Sequence, residues 1–427
     1  MTQATLLPKM ARVRQNFPAS RPLDIRKVLA REFAPLLPRI RPGGQVAIAS
    51  GSRGIANIAE ITRAVVDLVR GAGGAPFIFP AMGSHGGATP EGQTEVLACY
   101  GITEQTMGAP IRASMEVRQV GVARCGAPVY SSAEALAADQ IILVNRIKPH
   151  TDFFGTLGSG LIKMSVIGLG KKEGAAAMHI AAARLGHEQV IRDIANVVLQ
   201  KTNVLCGVAI LENQHHQTDS VQVIPGNEIE AREGALLEQA RRLMPLLPFD
   251  EIDLLIIDRI GKNISGAGMD PNVIGRWVNG YMSSLAREGR PSPFIRRIFV
   301  RDLTPETHGN GIGIGLCDIT TTRLAQAIDR QITYTNALTA LTPNGAKIPI
   351  HFDTDRECIE RALVSLAIPD TAQARVARIA DTLSLSEFQV SRALRDEAKA
   401  LETTSDFVEM EFDSAGNLVE EAAKTLL

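Results

Sequence analysis

The sequence predicts an α/β protein with two domains, each containing a mostly parallel sheet flanked by helices. The chain has 427 residues, more than one hydrophobic core usually supports. Its longest apolar runs, such as residues 141–144 and 254–257, have the length and composition of buried parallel strands. These runs alternate with glycine-rich turns and helical patterns, which is typical of sheets covered on both faces. Ligands of such sheets lie beyond the strands' carboxyl ends, so we expect an active site there, in the cleft between the domains.

The first two strand–helix units contain the first candidate loops. A strand is predicted at residues 46–49, with a glycine-rich turn and a helix over 61–69 after it. A second strand at 76–80 leads into another glycine-rich turn. Thr89 then has the side chain of a helix N-cap, and Pro90 suits the first helical position.

The rest of the first half continues this alternation. A third strand is predicted at residues 140–144, and a long alanine-rich helix begins near Glu173. A strand at 203–211 closes this half. Residues 243–249 contain prolines and read as a linker.

A second strand–helix series follows the linker. Strands are predicted at residues 252–257, 298–301 and 347–352, and helices from Thr320 and Asp355. The pattern then changes, since residues 371–401 read as consecutive helices and residues 407–419 as a hairpin turning at 413–417. The predicted segments are an N-terminal domain (1–248), a C-terminal α/β domain (249–400) and a C-terminal hairpin or tail (401–427).

Composition and charge exclude several classes of function. The formal net charge of −1 gives no electrostatic reason to expect nucleic acid or an acidic membrane as a partner. No apolar run is long enough to span a bilayer, and residues 1–23 lack the apolar core of a secretory signal. The five cysteines form no CxxC pair, which disfavours a disulfide framework or a thiolate zinc site. We therefore expect a cytoplasmic protein.

Two of the eight histidines occupy the positions where an α/β sheet binds its ligands. His85 and His150 each come soon after a predicted strand. An unperturbed imidazole titrates at about 6.5, so either residue could take or give a proton at neutral pH. Four of the other histidines are interpreted as surface or structural residues: His187, His215, His216 and His351.

Lys163 lies in a glycine-rich stretch and has two interpretations. It is flanked by Leu161, Ile162 and Met164, so it either reaches out to solvent from an apolar strand end or is held beside a ligand. His179 follows 16 residues later, on the helix into which this stretch leads. The turn at residues 307–311 also has two interpretations. A structural turn is the commoner explanation, and a place in the cleft between the domains is the alternative.

Taken together, four short motifs in the first 200 residues resemble the N-terminal domain of nickel-dependent lactate racemases. Order and approximate spacing both match, which is more specific than any single motif. The later half resembles the second domain of that family more faintly. The motifs are Gly83-Ser84-His85, Pro149-His150, Ser159-Gly160-Leu161-Ile162-Lys163 and the later His179.

The resemblance implies a cofactor and a role for each residue. Lys163 would attach a nickel-pincer nucleotide, the pyridinium-3,5-bisthiocarboxylic acid mononucleotide of nickel, and His179 would be the protein ligand of the metal. Neutral imidazole suits nickel, and the sulfur and carbon donors of the pincer would complete a square-planar site. His85 and His150 would be the two acid/base residues of a 2-hydroxy acid racemase or epimerase, an isomerase that passes a hydride between the substrate carbon and the cofactor ring.

The resemblance also implies residues that bind the cofactor or the substrate. Ser52 and Arg53 match an Asp-x-Thr-Arg turn of the family, and the Arg53 guanidinium would bind a phosphate or the substrate carboxylate. Ser50 stands where that turn has its aspartate. In the later half, the lysine expected after Asn272 is missing, and Arg276 is the candidate substitute for its charge.

These departures keep three interpretations open. The first is the 2-hydroxy acid racemase, which needs separate cofactor-biosynthesis proteins as partners. The second is an epimerase of larger sugar acids. The third is a non-catalytic relative that binds a nucleotide-like ligand, which Ser50 and the missing lysine motivate.

Overall fold

The elements of secondary structure alternate as the sequence predicts. A computed structural model describes residues 6–19, 22–51, 54–151, 155–276, 293–398 and 400–419. The strands are β1 (Met10–Arg14), β2 (Gln45–Ser50), β3 (Ala75–Pro80), β4 (Val117–Val122), β5 (Pro128–Ser132), β6 (Gln140–Arg146), β7 (Val204–Glu212), β8 (Thr218–Pro225), β9 (Glu251–Ile260), β10 (Phe294–Leu303), β11 (Ile319–Thr321), β12 (Ile350–Phe352), β13 (Val376–Ile379), β14 (Glu387–Ser391) and β15 (Glu402–Thr403).

The helices lie between these strands, and within the described residues none is both long and apolar enough to cross a bilayer. They are α1 (Ile25–Phe33), α2 (Ile58–Gly71), α3 (Pro90–Cys99), α4 (Glu104–Met107), α5 (Ala133–Ala137), α6 (Leu161–Lys163), α7 (Leu169–Leu185), α8 (His187–Lys201), α9 (Ile229–Arg242), α10 (Pro271–Ile274), α11 (Thr322–Ala327), α12 (Arg330–Thr339), α13 (Asp355–Val364) and α14 (Arg392–Glu397). A π-helical turn, Met164–Gly168, joins α6 to α7.

The chain divides into two compact units. The first unit is Pro18–Met244, and the second unit combines Met1–Phe17 with Pro245–Leu427. The break falls within the predicted linker, but both ends of the chain differ from the predicted segments. β1 pairs antiparallel with β14 and β15, so the start of the chain and the predicted C-terminal tail share the sheet of the second unit.

The first unit contains a five-stranded sheet in the order β3-β2-β6-β7-β8. All neighbouring strands run parallel except β8, which pairs antiparallel with β7. Alternate residues of β2 pack into two different cores, Ala47 and Ala49 into one and Val46 and Ile48 into the other. Both faces are therefore buried, which is why its strands read as continuous apolar runs.

The second unit contains an eight-stranded sheet in the order β12-β11-β10-β9-β13-β14-β1-β15. Strands β9 to β13 pair in parallel, and β14, β1 and β15 extend one side antiparallel. Helix α13 begins at Asp355, which confirms that prediction. The prediction of consecutive helices over 371–401 is wrong, because Val376, Ala377 and Ile379 are fully buried in β13 beside β9. Burial between strands overrides the local helical pattern.

Candidate functional site

The carboxyl end of β6 leads directly into the candidate site. After Arg146 the chain passes through Lys148, whose backbone N–H and carbonyl both pair with Ser159 at 2.8 Å. This antiparallel bridge folds the segment after β6 against the residues that precede α6. It brings His150 and Lys163 together, although 13 positions separate them in the chain.

His150 and Lys163 are in direct contact. The Lys163 Nζ lies 2.5 Å from His150 Nε2. The His150 side chain is buried, with 9% exposure, and its pKa is well below the ordinary 6.5 because burial disfavours the charged ring. The positive charges of Lys163 and other nearby basic groups lower the pKa further. The His150 imidazole is therefore neutral at physiological pH, and Nε2 can accept a hydrogen bond from a Lys163 ammonium, which can only donate.

His179 and His187 complete a basic cluster around His150. Both residues are close enough to lower the pKa of His150 electrostatically, as is Lys148. The rings of His179 and His187 are 6.3 Å apart between centroids and nearly perpendicular. Helix α7 ends at Gly186, whose φ of 86° lets the chain turn into α8, and His187 is the first residue of that helix.

His187 belongs to this cluster, although its sequence context indicates a surface or structural residue. The signal was available in Gly186, since a glycine between two helical patterns marks a helix end. A tight turn between two helices brings the first residue of the second back towards the last turns of the first. The cluster therefore contains His150, Lys163 and His179 together with His187 and Lys148.

His85 lies on the loop that follows β3, and its side chain is exposed. This loop packs on the helical segment that carries Lys163 and His179. A Cβ on Gly83 would lie 3.3 Å from Ile167 Cγ2 and 3.5 Å from Ala175 Cβ, which leaves little room for a side chain. Gly86 has a φ of 60°, and a Cβ there would lie 2.3 Å from the backbone carbon of Gly92, so only glycine fits.

A buried glutamine forms hydrogen bonds with the backbone of the loop that carries His85, and a buried lysine forms a hydrogen bond with that glutamine. Gln93 Nε2 donates to the carbonyls of Met82 and Gly83, at 3.2 and 2.9 Å. Lys171 Nζ donates to Gln93 Oε1 at 2.9 Å and to the carbonyl of Pro80. Neither side chain is exposed, and burial lowers the pKa of Lys171 to about 8. Lys171 also interrupts the helical backbone with a φ of 56°.

Replacement of Gln93 with alanine should lower the free energy of unfolding by about 1–3 kcal/mol, because it leaves buried polar partners unsatisfied. The Lys171 ammonium would lose its side-chain acceptor, and the loop carbonyls would lose a donor. Chemical denaturation of the purified protein measures the change. Gln105→Ala, at an exposed position of α4, is the control and should change stability by less than about 0.5 kcal/mol. Equal denaturation midpoints for the two variants would contradict this assignment.

The other predicted residues of the site are Ser52, Arg53 and Arg276. Ser52 and Arg53 lie outside the described residues. Arg276 is in the second unit, where its guanidinium donates to the carbonyl of Leu316 at 2.7 Å and to Asp318 at 2.6 Å. These contacts fix the Arg276 side chain within the second unit, so we do not include it in the proposed site.

The turn at residues 307–311 has internal hydrogen bonds typical of a structural turn. Thr307 Oγ1 donates to the carbonyl of Asn310 at 2.8 Å and accepts the backbone N–H of Lys262 at 3.1 Å. Gly309 has a φ of 76°. These contacts favour the structural interpretation of the turn.

The second unit contains a cavity of about 370 Å³ with charged walls. Two of its arginines, Arg301 and Arg323, form ion pairs with aspartates. Arg301 Nε donates to Asp355 and Nη1 to Asp258, while Arg323 Nη2 also donates to Asp355, all at 2.8–2.9 Å. Asp355 is fully buried. This mutual pairing stabilises the packing of the unit and gives no specific indication of a ligand.

Comparison with known proteins supports the fold. A family model described as a domain of unknown function, DUF362, matches residues 49–227, which contain the whole cluster. No curated protein matches the chain. The solved structure of the lactate racemase apoprotein from Thermoanaerobacterium thermosaccharolyticum is similar, with a TM-score of 0.54 and 14% identity over 87% of this chain and 93% of that one. The fold is lactate racemase-like.

A second solved structure supports the same conclusion. A structural-genomics protein from Thermotoga maritima has a TM-score of 0.51 and 12% identity, over 77% of this chain and 84% of that one. At such low identities both likenesses concern the fold alone. The lactate racemase-like fold confirms the predicted class, α/β with mostly parallel sheets flanked by helices.

Proposed function

We propose that this protein is a 2-hydroxy acid racemase or epimerase that works with a nickel-pincer nucleotide attached to Lys163. The contact between the Lys163 amine and the neutral, buried His150 is the observation that carries the proposal. This contact supports the proposal because it joins a lysine amine to a neutral imidazole in a protein with a lactate racemase-like fold.

The donor set fits such a cofactor. Within the described part of the chain, no group of three or more histidine, cysteine, aspartate or glutamate side chains is placed to hold a metal ion. A metal in this cluster would therefore need most of its ligands from elsewhere, and a pincer nucleotide needs only one, for which His179 is the candidate. The basic residues around His150 also suit the phosphate and carboxylate groups of a nucleotide and a hydroxy acid.

The roles of the chain's own residues follow from their protonation and position. When bound, the cofactor supplies a hydride acceptor for the carbon that carries the hydroxyl. The neutral His150 takes the hydroxyl proton as that oxygen becomes a carbonyl oxygen, and His85 acts on the other side of the substrate. The two histidines exchange roles when the opposite enantiomer reacts, because each step must run in reverse.

Attachment of the cofactor at Lys163 would also raise the pKa of His150. An acylated lysine carries no positive charge, and the charge of Lys163 is the second cause, after burial, of the low pKa of His150. Its removal raises the pKa of His150 towards the ordinary value and makes the imidazole a better proton acceptor. The protein would thus gain its general base as it gains its cofactor.

The test is to produce the protein together with cofactor-biosynthesis proteins, which we propose as its partners in the cytoplasm. Intact mass should show an adduct, peptide mapping should place it on Lys163, and metal analysis should find about one nickel per chain. Lys163→Arg keeps the charge but should lose the adduct, whereas Lys172→Arg, at an exposed neighbouring position, should retain it. Absence of both nickel and adduct from matured wild-type protein would refute the cofactor assignment.

The substrate class needs a separate measurement. Matured protein should interconvert the enantiomers or C2 epimers of a 2-hydroxy acid, followed by chiral chromatography. The substrates tested should range from lactate to longer sugar acids. Ser50 and the missing lysine beyond Asn272 depart from the lactate racemase motifs, and these departures affect the expected substrate-binding residues. Conversion of the sugar acids alone would favour the epimerase. Full loading without turnover of any hydroxy acid would support a non-catalytic relative that binds the nucleotide.

A further inference from the structure

A buried carboxyl group lies at the start of the helix that carries Lys163. Glu233 is on α9 and has no solvent exposure. Its Oε2 accepts the backbone N–H of Ile162 at 2.8 Å, and the N–H of Leu161 also donates to this carboxyl. Those two N–H groups belong to the first turn of α6, which has no earlier carbonyl to accept them. Glu233 therefore supplies the cap that the local sequence lacks.

The segment before Lys163 is shaped to admit this carboxyl. A Cβ on Gly160 would lie 2.3 Å from Glu233 Oε1 and 2.6 Å from its Cδ, so any other residue would displace the acid. The carbonyl of Gly160 accepts Asn145 Nδ2 at 2.9 Å. One side chain from β6 and one from α9 thus bind the backbone of the same glycine-rich turn.

Burial of the Glu233 carboxyl costs more free energy than an ordinary helix cap does. Glu233 Oε1 is a buried atom without a hydrogen-bond partner among the described residues, and burial raises the pKa of Glu233 to about 7. Helix starts are commonly capped by serine, threonine, aspartate or asparagine within the same segment, at little cost. A long-range buried acid instead fixes the turn relative to a separate helix, which matters when one side chain of that turn must be placed accurately.

We propose that Glu233 is a positioning residue, which holds the amine of Lys163 against His150 by accepting the backbone N–H groups of Leu161 and Ile162. The inference rests on the proposed function only in treating Lys163 as the residue that reacts. No atom of Glu233 touches the substrate in this proposal. Its contribution is transmitted through two residues of backbone to the lysine.

The test uses the reactivity of Lys163 in the protein as it exists without cofactor. Brief treatment with limiting acetic anhydride and peptide mass spectrometry gives the acetylation of Lys163 relative to the exposed Lys172 of the same molecule. Glu233→Ala should lower this ratio about tenfold, because the displaced amine loses the neighbouring His150 Nε2, which can accept its proton as it reacts. Glu233→Gln keeps an acceptor oxygen for the N–H groups and should restore the ratio to within about threefold of wild type.

A matched variant separates positioning from loss of stability. Asp193→Ala removes another buried acid of the first unit, one with a buried oxygen that lacks a hydrogen-bond partner among the described residues. It should lower the denaturation midpoint but leave the acetylation ratio unchanged. If Glu233→Ala does not fold, Glu233→Asp, which retains the acid but is shorter, should lower the ratio in its place.

Two results would overturn the proposal. One is an unchanged ratio in Glu233→Ala or Glu233→Asp. The other is a ratio in Glu233→Gln as low as in the variants that lack the acceptor. Because the measurement needs neither nickel nor a hydroxy acid, its outcome is independent of the cofactor assignment. Failure of the racemase proposal would appear as missing nickel and adduct, with the acetylation ratios unaffected.

Discussion

Replacement of His150 with alanine should lower kcat/KM for hydroxy acid racemisation by about 10²–10⁴-fold, the usual contribution of a general acid–base residue. The pKa of His150 is well below 6.5, so the ring is ready to accept a proton at neutral pH. Burial, the largest cause of this low pKa, persists when Lys163 carries the cofactor, so His150 should cause no loss of activity as the pH falls from 8 to 7.5. Initial rates for both enantiomers, measured on fully loaded protein, provide the comparison.

Cofactor loading must be measured in the same variant, because His150 also contacts Lys163. A His150→Ala protein that carries nickel and the adduct but has lost turnover would support the acid–base role. His215→Ala, at an exposed position of the first unit, is the matched control and should behave as wild type. Retention of full activity in loaded His150→Ala would assign the proton transfer to another residue, and His187 would be the first to test.

The sequence was sufficient to predict the elements that position the site. The strands β2, β3 and β6 are apolar on both faces because two cores cover them, so each appears as an uninterrupted apolar run that ends at a polar turn. Parallel strands place their carboxyl ends at one edge of the sheet, which is why His85 and His150 could be selected from eight histidines. Lys163 and His179 depended on the resemblance between motifs.

The residues that support the site could not be predicted, because their contacts cross long stretches of chain. Glu233 is 71 positions from the N–H group of Ile162 that it accepts, and Lys171 is 78 positions from Gln93. Helical spacing places Glu233 on the buried face of its helix with Ile229 and Leu237, but it does not reveal which backbone groups the carboxyl contacts. The strand β13 was missed for the same reason, since its burial depends on β9, more than a hundred residues earlier.

The contribution of Glu233 to the stability of the protein should fall as the pH rises from about 5 to 7.5. Burial raises the pKa of its carboxyl from 4.5 to about 7, so the folded protein binds a proton that the unfolded chain has already released. The stabilisation by this group is complete below pH 4.5 and is lost as the pH rises through about 7. A shift of this size corresponds to about 3 kcal/mol.

Glu233→Gln isolates this contribution, since glutamine resembles the protonated acid and does not titrate. The difference in denaturation midpoint between wild type and Glu233→Gln should therefore change between pH 5 and 7.5, with wild type losing stability relative to the variant. His150 and Lys171, whose pKa values burial lowers, are present in both proteins, so their titration cancels from this difference. Parallel pH profiles for the two proteins would mean that the carboxyl of Glu233 is already ionised in the folded state at neutral pH, with its charge stabilised by the N–H groups at the start of the Lys163 helix.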